Sequence, residues 1–257
     1  MPGSTAQEKA QALRQHLGLG HGYVDIFDVL RRLDIEVYRK PFSDGLEGAF
    51  TIRDGVPFIF VNSLGSLTRQ RLTAAHELGH FELGERVDGT EVLEGPGLNG
   101  DNAEWEVFRF ARHFLMDAQG VQMLVMAVRD EERKVAAVAH TYVTSPAVTA
   151  IHLRELGLMS AATRSRLQKQ FEEGSLKPSA FLARYGYGMD EMNRPVTELA
   201  PAHFQRALAA YSKRLLSLVA LAEVLMKSED ETQRIVRDAG IELGDERGTA
   251  QEVAVEA

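Results

Sequence analysis

Between Ser66 and Gly84 apolar residues recur at helical spacing. Leu67, Leu72, Ala75, Leu78 and Gly79 share one face, while Thr68, Arg69 and Gln70 open the segment in solvent behind Ser66 as N-cap. The same period predicts a helix over 5–18 closed by Gly18, and another through Ile26, Val29, Leu30 and Leu33. Between them and Ser66 the pattern turns β-rich. "IEVYRK", "LEGAFTI" and "PFIFVN", with the turn Arg53-Asp54-Gly55, predict a small antiparallel sheet containing one hairpin. The Gly-rich, acidic stretch 87–100 predicts a loop, and 102–116 a strong helix with Asn102 as its cap. A break near 117–120 then leads to helices over roughly 121–140, 146–156, 160–173, 178–185, 201–226 and 230–239. The expected class is α+β: a small sheet and its helices in 1–120, then an all-helical half. That half divides into a helical region at 121–185, a second at 186–245 and a disordered tail at 246–257.

Composition narrows the chemistry. At 257 residues, 44% hydrophobic and 26% charged, the chain can build a substantial core. It has no run of about 18 apolar residues, and its start lacks a basic region followed by an apolar one, so a cytoplasmic location is expected. Zero cysteines exclude disulfides and thiolate metal sites, which leaves His, Asp and Glu as the ligand types. A net charge of −8 opposes long-range attraction to nucleic acid.

His76-Glu77-Leu78-Gly79-His80 spells H-E-x-x-H inside the helix of 66–84. Two histidines four apart project from one side, about 6 Å from each other, so their rings can converge on one cation. Glu77 lies beside that cation without binding it, where it can take a proton from water and pass it to a leaving amine. The bland alternative is a helix that happens to carry two histidines. A catalytic site of this kind needs a third protein ligand. A metzincin would have Gly at 83 and His at 86, where this chain has Leu83 and Arg86. The next helix offers Glu104 and Glu106. Phe108, Ala111 and Leu115 continue the apolar stripe that starts at Glu104, whereas Glu106 is rotated about 200° away, toward solvent. A lone acid on an apolar face is costly unless paired or metal-bound, which favours Glu104 as the ligand.

With these residues in view, residues 5–120 resemble the ImmA/IrrE family of metallopeptidases. The likeness rests on "VDIFDVLRRLDIEVYRKP", "LEGAFTIRDGVPFIFVNSLGSLTRQRLTAAHELGHFELG" and "EWEVFRFARHFLM", in that order. It implies a zinc-dependent endopeptidase in which His76, His80 and Glu104 are ligands and Glu77 is the general base; a His₂Glu ligand set accepts Mn²⁺ as well as Zn²⁺. It also implies a particular protein substrate: a helix-turn-helix repressor whose cleavage releases stress-response or mobile-element genes. Two positions depart from the family pattern. Phe108 stands where Asn is usual, removing a hydrogen-bonding group near the site, and Asp117 stands where Pro is common.

The remaining candidates carry less chemistry. Residues 135–160 read as helix, turn, helix, which suits packing on the peptidase as well as it suits DNA. From Arg129 to Arg184 nine Lys/Arg meet six Asp/Glu, a weak surplus for a DNA reader, so direct nucleic-acid binding is not expected. His140 and Tyr142 could donate to an oxyanion if their turn folds over the site. His113 should face away from the metal, and His16, His21 and His203 have no assigned chemistry. Trp105 reads as packing, and "LLSLVALAEVLM" (215–226) as a buried helix or dimer seam. The rival to an enzyme is a transcription regulator or binding module that keeps a metal without hydrolysing anything. An intact Glu77 speaks against it.

Overall fold

The computed structural model describes residues 5–42, 45–84, 102–188 and 199–243, and the chain divides into two compact units, residues 1–198 and 199–257. The predicted loop at 87–100, the side chain of Asn102 and the tail at 246–257 lie outside the described residues. Helices α1 (Ala6–His16) and α2 (Ile26–Arg32) precede strands β1 (Glu36–Lys40), β2 (Gly48–Arg53) and β3 (Val56–Asn62). Two longer helices follow, α3 (Leu67–Leu83) and α4 (Asn102–Leu115).

The α+β class holds, but the sheet is mixed rather than antiparallel. Its order is β1-β3-β2: β2 pairs antiparallel with β3 and β1 pairs parallel with it. The hairpin forms as expected, because Asp54 (φ 53°) and Gly55 (φ 79°) both adopt the left-handed conformation that a two-residue turn between twisted strands requires. Asn62 fastens the connection from β1 to β2 at the end of β3. Its side chain donates to the carbonyls of Phe42 (3.1 Å) and Leu46 (2.8 Å), which holds both ends of that connection against β3. Strand β3 becomes the centre, with Ile59 and Val61 fully buried.

Ser66 caps α3, its hydroxyl accepting from the Arg69 amide, and Gly84 closes the helix in the left-handed conformation. Leu72, Ala75 and Leu78 of α3 enter a core with Ile26 and Leu30 of α2, Ile59 of β3 and Phe110 and Phe114 of α4. Thr68 and Gln70, expected in solvent, are buried. The Gln70 side-chain amide donates to the carbonyls of Ser63 and Gly65, which ties the β3–α3 connection to the helix.

Where one helix was expected over 121–140, there are two, α5 (Ala118–Val125) and α6 (Glu131–Tyr142). Asp117 and Asp130 each accept from an amide three residues on, so each starts a new helix. Helices α7 (Pro146–Glu155), α8 (Ala161–Glu172) and α9 (Pro178–Arg184) complete a second core around Val135, Leu153, Leu167 and Phe181. Arg71, 1% exposed, joins the two cores: it donates to the carbonyls of Val24, Tyr142 and Val143 and to the Tyr23 hydroxyl.

The second unit holds α10 (Pro201–Ser212), α11 (Leu218–Leu225) and α12 (Glu229–Asp238) around Leu208, Tyr211, Leu221 and Val236. The single helix expected over 201–226 breaks where Arg214 turns left-handed (φ 60°) and Ser217 caps α11. The stretch 215–226 is therefore amphipathic: Leu221 and Leu225 are buried, while Leu215 and Val219 face solvent. Among the described residues no helix is long and apolar enough to cross a membrane.

Candidate metal centre

Gly79, inside the motif, lets α4 approach α3. Any side chain there would bring its Cβ to 2.9 Å from Val107 Cγ1 and 3.3 Å from the Val107 carbonyl, too close for a real contact. That approach brings the first turn of α4 over the two histidines. His76 Nε2 and His80 Nε2 lie 3.1 Å apart, and the Glu104 carboxylate reaches them at 3.3 Å and 3.5 Å. Both histidines are buried, and Glu104 keeps a third of its side chain exposed. Glu106 points elsewhere, toward Arg109 at 3.6 Å. The acid on the inward stripe is the one that meets the histidines.

The donor set suits a small divalent ion. Ligands about 2.0–2.1 Å from a tetrahedral centre stand roughly 3.3 Å from one another, close to the spacings found here. Glu104's carboxyl is held below the ordinary carboxylate range, first by its hydrogen bond with His76 and then, against burial, by the charges of both histidines. Glu77 sits beside this group, 1% exposed, its Oε2 without a hydrogen-bond partner among the described residues. Burial first, and Glu104's charge second, push its carboxyl up to about 8. A nearby divalent cation would counter the repulsion from Glu104. Phe108, in place of the family's Asn, packs its ring 4.2 Å from that of His76, so it positions the imidazole by contact rather than by hydrogen bonding.

The other candidates are occupied elsewhere. The Tyr142 hydroxyl donates to the His21 carbonyl at 2.7 Å, and His140 stacks on Tyr187. Asp117 caps α5 and pairs with His21 Nδ1 at 2.7 Å.

A second cluster escaped the sequence reading. His113, His152 and Glu155 bring ligand-type atoms within 4.8 Å of one another. Helical phase placed His113 away from the first site, but its partners come from α7, forty residues on. Here Glu155 already holds Arg109 Nε (2.5 Å) and Arg112 Nη2 (3.0 Å). Two guanidiniums on the only carboxylate oppose a divalent cation, so this cluster ties α4 to α7.

A helix carrying H-E-x-x-H, packed on a small sheet and completed by an acid from the next helix, is the arrangement of a metallopeptidase-type domain. Among models of known protein families, Peptidase M78, the IrrE N-terminal-like domain, matches residues 30–154. That stretch is therefore similar to the IrrE N-terminal-like domain, in agreement with the resemblance read from the sequence. The chain has no match among curated proteins.

Proposed function

We propose that the protein is a metal-dependent endopeptidase in which His76, His80 and Glu104 hold one divalent ion, Zn²⁺ in the first instance, and Glu77 is the general base. The convergence of three donors within 3.5 Å, with a buried carboxylate alongside, carries this reading. When bound, the ion supplies Lewis acidity that makes a water more acidic and polarises the peptide carbonyl. Glu77 accepts the proton that water loses as its oxygen bonds to the carbonyl carbon, then delivers a proton to the amine nitrogen as the C–N bond breaks. Its unpartnered Oε2 leaves it free to hold that proton. Glu104, within 3.5 Å of both rings, fixes their orientation as well as offering an oxygen.

The substrate follows from the resemblance: a DNA-binding repressor of helix-turn-helix type, cut once, so that stress-response or mobile-element genes are released. A net charge of −8 complements a basic partner. The test is Glu77→Gln, which keeps volume and helix. Metal content should persist, while cleavage of a helix-turn-helix repressor that the wild type cuts falls by about 10² or more. Cleavage at the wild-type rate would refute the role of Glu77. Failure of both proteins to cut would favour a metal-bearing regulator.

A further inference from the structure

A cleft of about 490 Å³ opens beside the candidate centre, walled by α3 and α4 on one side and by α7, α8 and the start of α9 on the other. Its volume is that of a ligand site rather than a packing defect. Glu104 stands at one end. From there Phe108 and Arg112 follow on the same face of α4, with Leu72 and Thr68 opposite on α3. Eight residues of helix separate Glu104 from Arg112, about 12 Å, the length of about four residues of extended peptide. The walls are mostly apolar, with Val148, Ile151 and Phe171 contributed by the helical region.

Arg112 makes the far end unusual. It is 3% exposed, with one terminal nitrogen on Glu155, yet its Nε is buried without a hydrogen-bond partner among the described residues. A buried donor left unmatched is costly, and this one, which solvent does not touch, meets a ligand when the wall of the cleft, where the Trp105 ring lies over the guanidinium, shifts. Glu155 and Glu106 balance Arg112 and Arg109, so the local charge suits a neutral acceptor better than an anion.

We propose that this cleft binds the stretch of peptide substrate flanking the scissile bond: it takes bulky apolar side chains, and Arg112 Nε donates to a backbone carbonyl. The inference rests on the endopeptidase reading. It makes the region around α7 and α8 part of substrate selection and predicts cleavage beside apolar sequence, such as a repressor exposes when a packed segment opens.

Trp105, the only tryptophan of the chain, lines the cleft and stacks on Arg112 at 4.9 Å, so occupancy can be read from its fluorescence without catalysis. The ligands are blocked hexapeptides with a central Leu-Phe pair or, as control, Ser-Ser. The proteins are full-length wild type, Arg112→Lys, which keeps a charge for Glu155 but lacks Nε, and Ala147→Phe, which narrows the cleft from α7. With metal stripped or added, the Leu-Phe peptide should give a saturable change at least tenfold tighter than the control, and both variants should weaken it at least tenfold. In the metal-loaded protein the kcat/KM preference for Leu-Phe over Ser-Ser should fall likewise, through KM. Equal binding of the two peptides, unchanged affinity in Ala147→Phe, or saturation by a small apolar molecule such as indole but by neither peptide would overturn the proposal. Binding without cleavage would refute the endopeptidase reading alone, and cleavage without preference would refute the cleft alone.

Discussion

Gly48 of β2 lies against Glu77 of α3 so closely that a side chain at position 48 would bring its Cβ to 2.8 Å from Glu77 Oε1. It would also collide with the Thr73 methyl and sit 3.1 Å from the Phe60 carbonyl. The bare backbone at this point of the sheet is what allows the proposed base to lie flat against it. Gly48→Ala should therefore move Glu77 while leaving the histidines in place. Hydrolysis should fall at least tenfold with metal content kept, and overpacking should cost about 1–3 kcal/mol in denaturant unfolding. Wild-type kcat in the variant would show that Glu77 tolerates displacement.

Metal analysis separates the two acids of α4 and the two histidine clusters. Wild type should hold about one equivalent of divalent metal, lost on His80→Ala or Glu104→Ala and retained on Glu106→Ala. Glu104 faces both motif histidines, whereas Glu106 faces Arg109. A second tight equivalent that disappears with His152→Ala would mean that Arg109 and Arg112 do not exclude a cation from the other cluster.

Arg71 is among the largest fully buried side chains of the described residues and joins the α3 core to the end of α6. Replacing it with Met would leave the Val24, Tyr142 and Val143 carbonyls unmatched, each at about 1–3 kcal/mol. Equilibrium unfolding of Arg71→Met should show a loss of at least about 3 kcal/mol. A loss under about 1 kcal/mol would mean that water replaces the guanidinium.

Stability should also fall in mild acid. Burial first, then the charges of His113 and Arg112, push His152 down to about 3, while in the unfolded chain it takes a proton near pH 6.5. Between those values the unfolded state binds the extra proton, so stability contributed by neutral His152 is present above pH 6.5 and lost as pH falls toward 3. From pH 7 to pH 5 the loss is about 2 kcal/mol. Above pH 5 Glu155 stays ionised, since against burial the His113 ring 3.3 Å away and the Arg112 guanidinium hold its carboxyl well below the usual range. His152→Gln keeps a donor for the Met116 carbonyl and removes the titration, so thermal melts of that variant should respond less to acid than those of wild type.

Local sequence determined most of the elements and the first cluster of candidate metal ligands. His76 and His80 share a face through helical spacing alone, the stripe through Phe108 and Leu115 turned Glu104 inward, and Asp54-Gly55 dictated the hairpin. These are properties of a few adjacent residues, and periodicity reports them. Tertiary structure decided whatever depends on which segments meet. The parallel pairing of β1 with β3 is one such feature, because strand propensity does not encode direction. The breaks at Asp130 and Ser217 are local caps as well, but the apolar pattern runs straight through them and hides them. The His113 cluster and the cleft ending at Arg112 join α4 to helices some forty residues downstream, and no spacing along the chain records a contact made through space.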